Sequence, residues 1–403
     1  MISRSRDLLC AAASALALTV GGASAQVVAP APAAPAPSPL GTPAMTPPLS
    51  ADPNPTSFDA GPLGKIYVTG ALSGLAMVQT EHSPYDRSAL ADLSNAQVFI
   101  QNTSGPIQFF IEAGAYSFPD LGVPYTHAIP TANNTYSAIP VAYLKLQPTS
   151  TFSIQIGKLP TLIGNELAFS FQNMNIERGL LWNQEPVVSD GVQLNYAKGP
   201  LTVSASLNDG FYSSRYNWLS GLLSYAVTSK DTLTIDGGAS LSHYARATAA
   251  TPLFQNNGGI LDLAWSHTEG AWFISPYFQY TRAEAIEAFG VDYAGGETYS
   301  GAVLAKYSFN THWSLAGRVE YIASSSAACL VESETCEQTN LLYGPGSKAV
   351  SVTLTPTYQQ GIFFARAEAS YVGITSGSPG AGFGQDGEAK SQFRGLIETG
   401  FLF

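Results

Sequence analysis

Short polar turns and long loops alternate along residues 65–403, and this alternation constrains the fold more than any other feature. The short turns carry glycine, proline or polar residues, as in "AKGPL" at 197–201 and "QQGI" at 359–362. Seven such turns and eight longer loops connect sixteen segments. Connections sorted by length in this way, with an even strand count, are typical of a transmembrane antiparallel up-and-down β-barrel. An all-β fold of about sixteen strands is therefore predicted for residues 65–403.

Strand assignments follow from alternation of apolar and polar residues with a period of two. Leu201 and Val203 alternate with Thr202 and Ser204, for example. The soluble alternative, a β-sandwich, gives no reason for sorting the connections by length. The predicted strands are 65–80, 93–102, 106–117, 137–147, 151–158, 189–198, 200–211, 217–228, 231–244, 258–267, 270–283, 297–309, 312–323, 347–358, 361–374 and 390–403.

The chain ends in "RGLIETGFLF", which is an apolar stripe of period two rather than a polar, frayed terminus. In lipid every backbone group needs a partner, and a closed barrel provides one for each strand. We therefore expect the last strand to pair with the first and its apolar face to contact lipid. Phe401 and Phe403 also resemble the C-terminal signal by which the barrel-insertion machinery recognises outer-membrane proteins.

The first 25 residues have the features of a secretory signal peptide. Arg4 and Arg6 precede an apolar run that is too short to span a membrane, and a small-residue cleavage site ends at Ala25. Cys10 precedes that apolar run rather than closing it, which disfavours a lipidation site. Residues 26–64 are rich in proline and are predicted to form a periplasmic tether, whereas residues 65–403 are the barrel.

Composition excludes several classes of protein. The formal net charge of -11 disfavours a nucleic-acid partner. The 38 glycines, 20 tyrosines and 20 phenylalanines, with only 12% charged residues, favour a β-rich chain.

Two stretches, "IQIGKLPTLIGNELAFSFQN" and "LLWNQEPVVSDGVQLNYAKGPLTVSASLNDG", resemble the OmpL-like β-barrel porins. The resemblance implies an outer-membrane location in a Gram-negative bacterium, with membrane lipid around the barrel. It also implies diffusion of small polar solutes or ions through a water-filled lumen, homo-oligomer formation and no cofactor. It does not identify the solute.

Charged residues on the strands should face the lumen, since an Arg or Lys facing lipid at mid-membrane costs about 2 to 4 kcal/mol. Two roles remain open for them: bracing of the wall by neighbouring opposite charges, and selection of permeating ions. The uneven clustering of basic residues on the last strands favours neither role by itself. The predicted pore-lining residues are Glu112, Asp236, Asp262, Lys306, Arg318, Glu320, Arg366, Glu368, Arg394 and Glu398.

The longest connection, at about 159–188, is predicted to narrow the pore. Loops of this length are usually functional or disordered, and its apolar content argues against disorder. It carries Glu166, Glu177 and Arg178, which are predicted to line the constriction. The alternative is a cap that contacts neighbouring loops outside the barrel.

No motif predicts catalysis or a metal centre. The five histidines are scattered, with no H-x-x-H spacing, and no G-x-S-x-G is present.

Cys329 and Cys336 lie in one long loop and are predicted to form a disulfide in an oxidising compartment. The alternative to a porin is a structural barrel whose lumen is plugged and which transports nothing.

Overall fold

The computed structural model describes residues 49–84, 86–242, 255, 257–288, 291–325 and 341–403. Within these residues, no helix is long and apolar enough to cross a membrane. The described residues are mostly β-strand, and they contain one short α-helix, α1, at Ala128–Asn134.

Sixteen antiparallel strands, β2–β12 and β15–β19, form one closed ring in which each strand pairs with its neighbours along the chain. A short strand β1 pairs with β2, and β13 and β14 form a separate hairpin. The strand bounds are β1 Thr56–Asp59, β2 Lys65–Gln79, β3 Ala89–Asn102, β4 Ile107–Tyr116, β5 Val141–Leu146, β6 Phe152–Pro160, β7 Val188–Lys198, β8 Leu201–Asn208, β9 Trp218–Ala226, β10 Asp231–Ser240, β11 Gly258–Glu269, β12 Trp272–Ala283, β13 Ile286–Ala288, β14 Val291–Tyr293, β15 Gly296–Ser308, β16 Trp313–Ser324, β17 Lys348–Gln360, β18 Phe363–Ser376 and β19 Ser391–Leu402.

The predicted sixteen-stranded barrel is confirmed, with differences at a few element ends. β3 begins at Ala89 rather than at 93, and β5 begins at Val141 rather than at 137. Helix α1 and the β13–β14 hairpin lie in segments for which the sequence predicts loops. These elements are short and local, so the strong period-two signal of the strands did not reveal them.

Alternation of side chains gives the wall two chemically different faces. On β17, Val350, Val352 and Leu354 are 37%, 46% and 52% exposed, whereas Ser351 and Thr353 are fully buried. The apolar face therefore points outwards and the polar face inwards, which is the reverse of a soluble barrel and is typical of a barrel in lipid. Bulky aromatics beside the short turns form an outward-facing belt, and they include Trp272, Phe309, Trp313 and Phe363.

The C-terminal strand closes the ring by pairing with β2, as the sequence predicts. Leu402 lies opposite Ala71, and the carbonyl of Phe403 accepts a hydrogen bond from the Gly70 amide at 2.6 Å. The first residues of β2 extend further than the end of the C-terminal strand, and β1 pairs with them from Lys65 to Val68. The edge left by the C-terminus is thus covered by a strand from the segment assigned to the tether. An unpaired edge in lipid would cost several kcal/mol for each backbone group.

Candidate functional site

The charged residues predicted to line the pore lie on the buried, polar face of the barrel strands. Nine of the ten are at most 4% exposed, and Lys306 is partly buried. Their surroundings differ sharply around the ring, because a loop fills one part of the interior.

The loop at 161–187, between β6 and β7, lies inside the barrel. The Gly164 amide donates to Asp236 on β10 at 2.9 Å, and the Ser170 hydroxyl accepts from the Asn95 amide on β3 at 2.7 Å. Since β3 and β10 are seven strands apart in the ring of sixteen, a loop that contacts the inner face of both must cross the interior. The alternative of an external cap does not agree with these contacts.

Arg318 on β16 joins the loop to the wall. Its Nη1 donates to Glu166 at 2.6 Å and to the Glu177 carbonyl at 2.8 Å, and its Nε donates to Glu320 at 3.1 Å. All of these groups are nearly inaccessible to solvent. Gly179 fits beside this cluster because a Cβ at that position would collide with the Glu320 carboxylate.

Arg366 on β18 pairs with Glu398, which lies directly opposite on β19. Its Nη1 also donates to the Asn173 carbonyl of the loop at 2.9 Å. Glu398 accepts a further hydrogen bond from the Ser170 hydroxyl at 2.7 Å. Charge-assisted bonds of this kind are stronger than neutral ones, and here they join two strands and the loop.

Arg394 on β19 pairs with Glu177 of the loop at 2.8 Å. Its guanidinium also donates to the Asp120 carbonyl, which belongs to the loop between β4 and β5. Asp120 in turn accepts from Arg178 at 3.2 Å. Burial raises the pKa of Asp120 to about 7, and the nearby Arg178 guanidinium limits that rise. The second loop therefore extends the filling of the interior through the same ionic network.

Six buried carboxylates lie outside these ion pairs: Glu112, Glu185, Asp209, Asp236, Asp262 and Glu368. Neither oxygen of Glu185 nor of Asp262 has a hydrogen-bond partner within the described residues. Gly164, at φ +91°, lies against the Glu185 carboxylate, so a side chain there would be both strained and obstructed. Sequence reasoning missed Glu185, because it sits in the loop without a motif or a strand register to mark its direction. In the same described part of the chain, no three His, Cys, Asp or Glu side chains are placed to bind a metal ion.

A cavity of about 510 Å³ remains between the loop and the inner faces of β5–β12. Its wall is made largely of serine, threonine, asparagine and glutamine side chains. It reaches from the turn at 147–152 to the loop residues Thr161, Leu162 and Asn165. We call the inner faces of β5–β12 the cavity side, and the inner faces of β15–β19 and β2–β4 the packed side.

Two other sequence predictions concern the cysteine pair and the C-terminal phenylalanines. Cys329 and Cys336 lie outside the described residues, so their pairing stays a prediction. Phe401 and Phe403 are 45% and 41% exposed, on the apolar outer face of the terminal segment.

Comparison with known families gives one match over most of the chain. The family described as "Putative beta-barrel porin-2, OmpL-like" matches residues 65–403. No curated protein matches the sequence.

Solved structures share the fold at low sequence identity. Outer-membrane expressed OmpT of Vibrio cholerae superimposes with a TM-score of 0.54 at 12% identity, over 87% of this chain and 100% of that chain. The outer-membrane channel DcaP of Acinetobacter baumannii gives 0.55 at 10% identity, over 84% and 97%. OmpF of Salmonella typhi, in complex with daunomycin, gives 0.53 at 10% identity, over 84% and 98%.

Proposed function

Because the chain belongs to the family of OmpL-like β-barrel porins, we propose that small polar solutes and ions cross the barrel along its cavity side. The protein is an outer-membrane porin of a Gram-negative bacterium. The observation that supports this route is the cavity of about 510 Å³ with its polar lining. Water and dissolved solutes wet such a lining, whereas the packed side offers them only buried ion pairs.

The 161–187 loop is the constriction in this proposal. Thr161, Leu162 and Asn165 bound the inner end of the cavity, and Asn165 donates to Ser275 of the wall at 2.9 Å. Passage therefore requires the solute to move between this part of the loop and β10–β12. The ion pairs of Arg318, Arg366 and Arg394 fix the rest of the loop, and in this proposal they brace the wall rather than contact the solute.

Cysteine accessibility tests the route. In a background with Cys329 and Cys336 replaced by serine, Ser224→Cys places a thiol on the cavity wall and Ser370→Cys places one on the packed side. A charged methanethiosulfonate reagent should lower the single-channel conductance of Ser224→Cys in planar bilayers and leave Ser370→Cys unchanged. Block of Ser370→Cys alone would refute the route, and bilayers that never conduct would favour the plugged barrel.

The remaining proposals rest on the family, on the fold of its solved relatives and on the sequence pattern. A channel rather than an enzyme is favoured by the family and the fold. OmpT of Vibrio cholerae has a trimer form, and we propose that this porin also forms homo-oligomers in the membrane. Phe401 and Phe403 are proposed to present the signal that the barrel-insertion machinery recognises. Residues 1–25 are proposed to direct export, and the proline-rich segment that follows them to act as a tether.

A further inference from the structure

We propose that the cavity binds a neutral polyhydroxylated solute, with the chemistry of a mono- or disaccharide, while that solute crosses the barrel. The inference rests on the proposed function and specifies its substrate class. Four features of the cavity support it: its charge, its array of amides, an aromatic face and its volume.

Charged groups are nearly absent from the cavity wall. Of the residues that line it, only Lys145 is charged, and it is partly buried. The arginine–carboxylate ion pairs lie on the packed side. Asp236 and Asp262 are not among the lining residues; they lie two residues along β10 and β11 from the lining residues Thr234 and Ala264. A permeating ion that loses hydration in the cavity meets no fixed charge on the lining other than Lys145, and uncompensated loss of hydration is costly. A neutral polar solute avoids that cost.

Amide and hydroxyl groups form a continuous band across β6, β7 and β8. Gln193 Nε2 donates to Gln155 Oε1 at 3.0 Å and to Asn195 Oδ1 at 2.7 Å, and the Ser204 hydroxyl donates to Asn195 Oδ1 at 2.8 Å. These bonds fix the amides in place before a solute arrives. In the part of the chain that the structure describes, Gln155 Nε2 and Gln193 Oε1 take no protein partner, so one amide NH2 group and one carbonyl oxygen are left to face the cavity.

A sugar hydroxyl is both a donor and an acceptor, and it matches this pair of free groups. Binding sites that hydrogen-bond a substrate hydroxyl discriminate strongly against analogues without it, because the site's polar groups are then left unpaired. The band therefore provides selectivity of a kind that a merely wettable surface lacks.

Tyr143 gives the cavity an aromatic face. The side chain lies on the inner face of β5, is partly exposed, and stacks on Phe110 with ring centroids 5.6 Å apart. This contact fixes the ring, and a fixed aromatic ring beside hydrogen-bonding groups suits a solute with both apolar C–H faces and polar edges.

The size of the cavity agrees with such a solute. Ligand sites are commonly about 300 to 1,000 Å³, and this cavity measures about 510 Å³. Because loop residues from Thr161 to Asn165 bound one end, a solute that enters must remain there before it passes the constriction.

Ion-current block by added sugar tests the proposal. With the intact protein in planar bilayers, sucrose should reduce the potassium chloride current in a saturable way. Replacing both free groups in Gln155→Leu/Gln193→Leu should raise the half-blocking concentration at least about tenfold, which corresponds to about 1.4 kcal/mol. Gln101→Leu is the matched control, since Gln101 is a buried glutamine on the packed side and its Nε2 lacks a partner within the described residues. Sucrose should block the current through Gln101→Leu at the same half-blocking concentration as in the unmodified protein.

Three outcomes would overturn the proposal while leaving a porin. They are a fall in current that only follows the bulk conductivity of the sugar solution, equal block in the double variant, and stronger block by gluconate than by glucose. The last would identify an anion site at Lys145. If the bilayers never conduct, the proposed function fails by itself. Calorimetric titration of the detergent-solubilised protein with sucrose then tests binding by itself. Binding that the double variant loses supports the inference. No binding, or equal binding by the double variant, overturns it.

Discussion

The packed side and the cavity side are built from the same kind of strand, yet they contain opposite chemistry. On the packed side Arg318, Arg366 and Arg394 each meet a carboxylate and a backbone carbonyl of an inner loop. On the cavity side the lining is almost free of charge and keeps an internal space of about 510 Å³. The comparison indicates that the paired charges in this lumen attach loops to the wall, whereas mostly neutral polar groups line the space left for the solute.

The largest expected effect comes from breaking one ion pair on the packed side. Glu398→Gln leaves the Arg366 guanidinium buried without its carboxylate partner, and removal of one partner of a buried pair costs about 3 to 5 kcal/mol. The midpoint of guanidinium unfolding of the detergent-solubilised barrel, followed by circular dichroism, should fall accordingly.

Glu269→Gln is the matched control for this prediction. Glu269 pairs with Lys230 beside a short turn and is well exposed, and surface pairs contribute little. Equal midpoints for Glu398→Gln and Glu269→Gln would contradict the idea that stability resides in the packed side.

Removing the loop should produce the next largest effect. Deletion of Asn165–Asn183, combined with Arg394→Gln so that Arg394 is not left without the Glu177 carboxylate, should raise the single-channel conductance several-fold. The reason is that the loop occupies the packed side and bounds the cavity. Arg394→Gln without the deletion is the control. An unchanged conductance from a folded deletion variant would mean that the loop does not obstruct flow.

The strand pattern could be predicted from the sequence, because alternation of side chains is a local property. The pairing of the last strand with the first also followed, since a barrel in lipid must close, although the register that places Leu402 opposite Ala71 did not. The partners of the loop could not be predicted in this way. Glu177 pairs with Arg394, which lies 217 residues away, and no short-range pattern encodes such a contact.

The cavity was equally hidden in the sequence. Gln155, Gln193 and Ser204 look like ordinary inward-facing polar residues of successive strands. Only the strand register, which brings Gln155 opposite Gln193 and Gln193 opposite Ser206, shows that they form one continuous band. The sequence showed that the basic residues cluster on the last strands, but it did not show that this side of the lumen is filled, because charge alone does not reveal where a loop will lie.

Ion selectivity sharpens the comparison through two charge changes. In Arg366→Gln/Glu398→Gln both members of a pair disappear, so the net charge is unchanged and the reversal potential in a salt gradient should stay at the unmodified value. Lys145→Gln removes the charged residue of the cavity lining and should shift that potential towards cation preference, more strongly at low salt. A shift in the double variant with none in Lys145→Gln would place the ion path on the packed side.

The smallest effect concerns the pH dependence of loop attachment at Asp120. The unfolded chain loses this proton near pH 4, whereas burial raises the pKa in the folded protein to about 7. The folded state therefore retains a proton that the unfolded state has lost, and the resulting stabilisation disappears as the pH rises through about 7. Asp120→Asn lacks this titration. The stability of the unmodified protein relative to Asp120→Asn should thus decrease from pH 5 to pH 7, by at most about 1.4 kcal/mol per pH unit, and level off above that. Unfolding midpoints measured for both proteins across this range show whether the relative stability falls or rises with pH. A relative stability that rises with pH would contradict the prediction, and it would show that Asp120 is ionised in the folded protein and stabilises it through Arg178.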